Sequence, residues 1–538
     1  MSNIVKGTML LTGATFLSKF LGMIYVIPFN GLVGAEGGAL FTYAYVPYNI
    51  LITISTVGVP LAVSKFVSKY NALGDYQTGL RIFKSGITLM AMTGFLAFLI
   101  MFFGAEYIAG LTKDSEDKVN SIADITMVIK MVSFALIIIP AMSIVRGFFQ
   151  GYQSMGPTAV SQVVEQIVRI VFLLTAAFLI IYIFDGSKTT AVGFATFAAF
   201  IGGLASCFVL YVYWRKRKPY IYQNIESQRT HSKIPTKDLF KELFQYAGPF
   251  VLVGIATPLY QLIDQFTFDH AMSAAGLDDI ADIALGAINF YGHKLIIIPV
   301  ALATGLSLAM LPALTKSFNE RNKTLLFKQI NQALQIVIVL TVPAVVGLSM
   351  LSDAAYGSLY GITHIDITGP LLGWYAPVGL LFGLFLVSAS ILQGINQQRF
   401  AVISLSGGLL IKILFNIQLI HMFGAKGAIF GTALAVGTAV TLYLWRIHKA
   451  IGFSYKQIFK RTLLVGIFTI FMVIVLILTK QLVGAFIPYE ESRLGSVIML
   501  ILGVTFGGSV YLWFGYQSTL LERVLGNKVR VLDRIFRR

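Results

Sequence analysis

The chain has 538 residues, of which 57% are hydrophobic and only 12% charged, and its mean hydropathy is +0.79. Soluble domains carry roughly a quarter charged residues, so this composition excludes a string of soluble domains. The single cysteine, Cys207, excludes a disulfide framework, and the net charge of +17 raises a nucleic-acid reading that only its distribution can decide.

A run of about 20 apolar residues spans the hydrocarbon core of a membrane. Fourteen such runs are predicted, at about 7–28, 40–62, 83–104, 122–145, 157–184, 190–213, 244–267, 285–310, 329–351, 370–392, 400–421, 424–446, 462–484 and 494–516. The first is too long for the apolar part of a signal peptide and has no A-x-A-like site after it, so it is expected to remain as the first helix. An even number of spans places both termini on one side. The expected class is an all-α polytopic membrane protein.

With the N-terminus inside, about 30 of the 41 Lys and Arg residues fall on inner segments. They include Lys65, Lys69, Arg81, Lys84, Arg146, the run Arg215 to Lys218, Arg446, Lys449, Lys456, Lys460 and Arg461. The outer loops carry acids instead: Asp114, Glu116 and Asp117, then Asp278, Asp279 and Asp282. This positive-inside asymmetry puts both termini in the cytoplasm and accounts for the basic excess without nucleic acid. Anionic membrane lipids are secondary partners for the same charges.

The longest polar stretch, about 214–243, reads as a basic cytoplasmic linker with Pro219 and Pro235. Its far end, Lys237 to Phe244, alternates charged and apolar residues as an interfacial helix would. The expected organisation is an N-lobe at 1–213, the linker at 214–243, a C-lobe at 244–446, a trailing helix pair at 447–516 and a basic tail at 517–538. The halves resemble each other. Gly58-Val-Pro-Leu-Ala-Val recurs as Gly305-Leu-Ser-Leu-Ala-Met, 247 residues later. Phe149-Gln150-Gly151-Tyr152-Gln153 recurs as Leu392-Gln393-Gly394-Ile395-Asn396, 243 residues later. Six spans per half give two repeats of one orientation, related by an axis along the membrane normal, with a substrate site expected between them.

No H-E-x-x-H, Walker or C-x-x-C motif occurs, which argues against ATP hydrolysis by this chain, and no cofactor or enzyme is expected. Asp264, Asp269 and His270 form a loose polar cluster at the end of the seventh span. A cation site and a solvated helix end both fit it. The stronger signal is charge inside the spans. Lys19, Lys130, Arg169, Lys294 and Lys412 lie in membrane-length runs, together with Glu165 and Asp264. A cation facing lipid at mid-membrane costs from a few to more than ~10 kcal/mol, so such residues face a cavity or a partner. One reading is a cationic chamber for an anionic substrate. The other is internal ion pairs, such as Glu165 with Arg169 at i,i+4 spacing, or Asp264 with Lys294. Asn49, Asn289, Asn396, Asn416 and Gln418 suit either sugar hydroxyls or helix bridging. Prolines in the spans, and the pair Gly379 and Gly383, permit bending and close helix approach.

Fourteen spans with a six-plus-six repeat resemble the multidrug/oligosaccharidyl-lipid/polysaccharide flippase superfamily. Ser18-Lys19-Phe20-Leu21-Gly22 resembles the S-[RK]-x-x-G element of the MurJ-type lipid II flippases. Arg146-Gly147-Phe148-Phe149-Gln150-Gly151-Tyr152, continuing through Met155 to Pro157, resembles the turn of the polysaccharide-transporter branch that includes SpoVB and YtgP. The resemblance implies translocation of an undecaprenyl-pyrophosphate-linked peptidoglycan precursor, lipid II, to the outer leaflet by alternating access. It implies the bacterial plasma membrane, and cell-wall synthesis or division proteins as candidate partners. Lys19, Lys294, Lys412, Arg169 and Lys130, balanced by Glu165 and Asp264, are then the substrate-binding candidates. Lysine ammonium groups on flexible stems can follow a moving pyrophosphate as point charges. The family's second first-helix arginine falls here on Tyr25, and the acidic residue after it on Val26. The trailing pair takes the position of the family's lipid-tail groove. Alternatives are a flippase for capsule, teichoic or spore-cortex precursors, a cation-coupled multidrug exporter, which needs a net acidic cavity, and a non-transporting scaffold.

Overall fold

The computed structural model describes residues 3–56, 59–113, 120–228, 251–252, 254–308 and 310–525. The expected interfacial helix from Lys237 to Phe244, the rest of the linker beyond 228, the outer acids Asp114, Glu116 and Asp117, and the tail beyond 525 lie outside the described residues. The chain divides into two compact units, Met1–Phe266 and Thr267–Arg538.

The first unit holds α1 (Asn3–Ile24), α2 (Val26–Thr56), α3 (Val59–Ala72), α4 (Tyr76–Phe103), α5 (Ala105–Thr112), α6 (Ile122–Ser133), α7 (Ala135–Gly151), α8 (Met155–Phe178), α9 (Lys188–Glu226) and the start of α10 (Ala256–Ala274). The second continues with α11 (Ala281–Leu285), α12 (His293–Leu308), α13 (Leu311–Asn319), α14 (Lys323–Met350), α15 (Ser352–Tyr360), α16 (Ile365–Tyr375), α17 (Val378–Gly394), α18 (Gln398–Phe423), α19 (Ala425–Ile451), α20 (Lys456–Gly484), α21 (Arg493–Gln517) and α22 (Leu520–Leu525). Among the described residues, 11 helical segments are long and apolar enough to cross a membrane, and α1 and α2 form a further pair bent by 41°. The 11 segments match expected spans three to six and eight to fourteen, the bent pair falls on the first two, and the seventh begins outside the described residues and continues as α10. Gly34 breaks α2 with φ 73°, a left-handed value that glycine adopts at no steric cost.

The expected linker is partly helix. α9 runs on from the sixth span to Glu226, carrying Pro219 inside it. Its apolar residues Trp214, Ile221 and Ile225 share one helical face and pack on a core of Phe66, Phe83 and Phe148 from α3, α4 and α7. The basic run Arg215 to Lys218 stays exposed. α9 also lies tight on α8. A Cβ at Gly202 would stand 2.8 Å from the Glu165 carbonyl oxygen.

The repeat seen in the sequence is repeated in the backbone. α7 ends at Gly151 and α17 at Gly394, and the residue two further on, Gln153 or Asn396, is left-handed at φ 55° or 59°. Backbone N–H groups of Gln153 and Asn396 donate to the carbonyls of Gln150 and Gln393. The earlier turn repeats too. Gly74 and Arg321 are both left-handed, and the next residues, Asp75 and Asn322, cap the following helix by accepting from Thr78 N and Leu325 N. Asx side chains are the usual acceptors at such a cap.

α20 and α21, the trailing pair, pack against α14 and α15 and belong to the second unit. The Tyr511 hydroxyl donates to the Val339 carbonyl at 2.7 Å, and Arg461 donates to Gln335. At the other end, Lys480 Nζ lies 3.7 Å from the Asp353 carboxylate and donates to the Met350 carbonyl at 3.2 Å. Arg493 donates to the Ser358 and Leu359 carbonyls at the end of α15.

Gly202→Val is expected to cost about 1–3 kcal/mol by wedging α9 from α8, read as a lower thermal midpoint of the purified protein. Asp353 gives a pH signature. Burial pushes its carboxyl above the ordinary range, and Lys480 offsets this only in part. The folded state therefore holds this proton more tightly than the unfolded chain. This group's contribution to stability should rise as pH falls through the folded value toward the free carboxyl value near about pH 4. Asp353→Asn should flatten that rise in denaturation midpoints measured across the same range.

Candidate functional site

In the first unit, α1 leans on α8 through one face. Ser18 Oγ donates to the Gln162 carbonyl at 3.4 Å, Thr15 Oγ1 donates to Gln162 Oε1 at 3.2 Å, and Gly22 leaves room for Gln166. Ser18 and Gly22 are four residues apart and so share that face. Lys19 projects beside it and is exposed. The S-K-x-x-G element thus builds a helix contact from its ends and presents its cation from between them.

The charges on α8 do not pair with each other. Glu165 is bound by Arg146, whose Nη2 donates to Glu165 Oε2 at 2.6 Å. The same guanidinium donates to Ser161 Oγ at 3.0 Å on α8 and to Ser206 Oγ at 2.8 Å on α9. The expected Glu165–Arg169 pair is therefore corrected. Arg169, one turn along, turns its guanidinium to the Tyr45 hydroxyl and stands 5.3 Å from the centre of that ring. Tyr45 stacks on Phe41 at 4.2 Å and meets Tyr48 edge-on at 5.3 Å. This aromatic wall offers Arg169 quadrupole attraction and a hydroxyl acceptor but no formal charge, so its positive charge is not neutralised by an ion pair among the described residues. Lys130 is half-buried, with Nζ 5.7 Å above the Phe102 ring. Asp264 is buried, and Gln265 beside it donates to the Tyr43 carbonyl and to Thr112 Oγ1, both at 3.2 Å.

In the second unit, Lys294 follows a π-helical stretch, Gly286–Gly292, and sits 6.0 Å from the Phe290 ring centre. The neighbouring His293 Nδ1 hydrogen-bonds the Tyr375 hydroxyl at 3.0 Å. π-helical insertions in membrane-length helices are frequent at functional positions. Lys412 has 0% exposure. Its ammonium donates to Thr432 Oγ1 at 2.6 Å on α19, and one turn along α18 Asn416 Nδ2 donates to Thr267 Oγ1 at 2.7 Å. Lys412 is thus built into the α18–α19 packing. Asp269 is buried too, at 2% exposure, which corrects the solvated-helix-end reading for that residue. Among the described residues no three His, Cys, Asp or Glu side chains converge as a metal site.

The repeat relates two of these cations. α8 starts at Met155 and α18 at Gln398, so the offset of 243 between the turns continues into both helices. Arg169 and Lys412 fall at the same position of the two copies. Each buries its cation against a hydroxyl of a neighbouring helix, Tyr45 in one unit and Thr432 in the other. Arg146 and Tyr45 are the residues that sequence reasoning missed. In the sequence Arg146 reads as one of the inner-segment charges. The available signal was Glu165 itself, since a carboxylate inside a span demands a partner.

A family model described as polysaccharide biosynthesis protein matches residues 4–318. Lipid II flippase MurJ of Bacillus subtilis (strain 168) is 45% identical over 531 residues, covering 98% of each chain. Stage V sporulation protein B of the same organism is 25% identical over 84% of this chain and 85% of its own. Among solved structures, a lipid II flippase MurJ in an inward closed conformation aligns with TM-score 0.68 at 17% identity, covering 96% of this chain and 99% of that one. An inward-facing multidrug resistance MATE family transporter aligns with TM-score 0.65 at 16% identity, over 80% of this chain and 94% of its own. Those two likenesses carry the fold. The long family match and the nearly full-length alignment carry the kinship: this multi-span membrane protein belongs to the polysaccharide biosynthesis protein family, in the branch of its MurJ-type relatives.

Proposed function

We propose that this protein translocates lipid II, an undecaprenyl-pyrophosphate-linked peptidoglycan precursor, from the inner to the outer leaflet of the bacterial plasma membrane. The observation that carries this reading is the 45% identity to a lipid II flippase over 98% of both chains. The protein acts as a transporter and not as an enzyme. Its substrate keeps every covalent bond, so the chain has only to bind, shield and release.

The pyrophosphate is the part that resists entry into hydrocarbon, and cations are what it needs. Lys19 is the exposed ammonium in the family's first-helix element and is assigned the first contact. Arg169 and Lys412, at matching repeat positions, and Lys294 beside the π-helical stretch, are assigned the positive potential that follows the anion. Lys130 is a weaker contributor, since it faces Phe102. Glu165 and Asp264 are assigned to balance and placement. Residues 1–213 and 244–446 are read as the two lobes of an alternating-access cycle, with 447–516 as the lipid-tail helices and both termini in the cytoplasm. A negative-inside potential favours outward movement of an anion by about 2.3 kcal/mol per unit charge at 100 mV, so the potential aids this direction.

Depleting the protein is expected to leave lipid II on the inner leaflet, measured by access of an outer-leaflet probe. Accumulation of a different polyprenyl-linked glycan would replace the substrate assignment. Lys19→Ala and Arg169→Ala are each expected to lower translocation at least about tenfold, the effect of losing one charge-assisted contact. Lys19→Arg should retain most activity. Full translocation by membrane-inserted Lys19→Ala and Arg169→Ala proteins would end the cationic reading. Glu165→Gln separates support from substrate contact. It leaves the Arg146 guanidinium without its carboxylate and should cost about 3 kcal/mol of stability. Lys19→Ala should leave the thermal midpoint unchanged.

A further inference from the structure

The turn between α19 and α20 opens a cavity of about 580 Å³ lined by His448, Ser454, Tyr455, Lys456, Phe459 and Lys460. The turn is braced from within. His448 Nδ1 lies 2.8 Å from the Phe453 carbonyl, and the Tyr455 hydroxyl donates to the Leu444 carbonyl at 2.7 Å. The cavity is therefore shaped by backbone contacts before anything enters it. Lys456 and Lys460 are one helical turn apart, both exposed, and neither has an ion-pair partner among the described residues. No acidic residue occurs between Asp366 and Glu490, so nothing on α19 or α20 neutralises them. Lys449 adds a third cation beside Trp445, its ammonium 4.9 Å from that ring's centre.

The other wall is apolar and leads away from the cations. Phe459 is 73% exposed, and Leu463, Ile467 and Ile470 continue the same exposed face along α20. α20 is long and apolar enough to cross a membrane, and Lys456 is its first residue, so this cavity lies where the headgroup layer meets the hydrocarbon. Trp445 and Tyr455 are the amphipathic rings that settle at that depth. A cationic cup opening onto an apolar rail fits a molecule with an anionic head and a hydrocarbon tail.

We propose that this cavity binds one anionic phospholipid, with its phosphate between Lys456 and Lys460 and an acyl chain along Phe459, Leu463 and Ile467. The leaflet follows from the orientation proposed above, while the site itself stands on its own geometry. The test uses purified full-length protein in neutral detergent, titrated with phosphatidylglycerol or phosphatidylcholine, with bound lipid counted by native mass spectrometry. Each lysine near an anionic lipid contributes about fivefold in affinity, so K456Q/K460Q should weaken phosphatidylglycerol binding about twenty-five-fold and leave phosphatidylcholine unchanged. K456R/K460R should retain binding. F459S should weaken both lipids. K216Q/K218Q, which removes the same charge from the exposed end of α9, should change neither. Millimolar inorganic phosphate or glycerol phosphate should not displace the lipid. The proposal is overturned by unchanged phosphatidylglycerol affinity in K456Q/K460Q, by an equal loss in K216Q/K218Q, or by displacement with free phosphate, which would make this a small-anion site. Translocation is read in none of these arms, so the result is independent of the transport assignment.

Discussion

A partly buried guanidinium among membrane-length helices needs protein acceptors for most of its donors, and Arg146 finds them on two other helices. From α7 it reaches Ser161 and Glu165 on α8 and Ser206 on α9. Removing any one acceptor leaves a costly group behind, so three helices are held in one mutual depth and rotation. The close contact at Gly202 belongs to the same arrangement, with α9 lying on the Glu165 turn of α8. Arg169 depends on it as well. With Glu165 bound by Arg146, Arg169 on the next turn of α8 has no ion-pair partner among the described residues and turns to the Tyr45 hydroxyl and ring.

The second unit reuses the backbone and changes the polar lock. The turns after α7 and α17 share a left-handed residue at the same place, and the helices that follow start in the same register. Yet the residue 243 positions after Arg146 is Ala389, and the one after Glu165 is Gly408. No internal ion pair can form there. What persists is the single cation at the shared position, Arg169 or Lys412, each against a hydroxyl. Lys412 is the more deeply enclosed, fully buried against Thr432. A cation held inside membrane-length helices is costly to keep there, and such positions serve anionic substrates.

The cations of the candidate site are legible in the sequence, and their partners are not. Lys19, Arg169 and Lys412 announce themselves because a basic residue in an apolar run is visible in one dimension. The partner of Glu165 was misread, since i,i+4 spacing puts Arg169 on the same face of α8 while Arg146 approaches from another helix. The first part of the linker is helical for a related reason. Its charges are exposed, while Trp214, Ile221 and Ile225 form a helical face that finds the aromatic core of α3, α4 and α7. The trailing pair looked separate because it lies outside the repeat, and contacts such as Tyr511 to Val339 join it to the second unit.

The amino-acid order by itself determined the polytopic all-α class, the positions of the spans, the repeat offsets of 247 and 243 residues, and the family kinship carried by the first-helix and span-four motifs. These are properties of local runs, since hydrocarbon thickness sets span length and an αL turn is encoded within five residues. Only the tertiary structure decided which charges meet. That depends on each helix's rotation and depth against its neighbours, and the deciding contacts join residues 19 to 124 positions apart, from Arg146–Glu165 to Tyr45–Arg169.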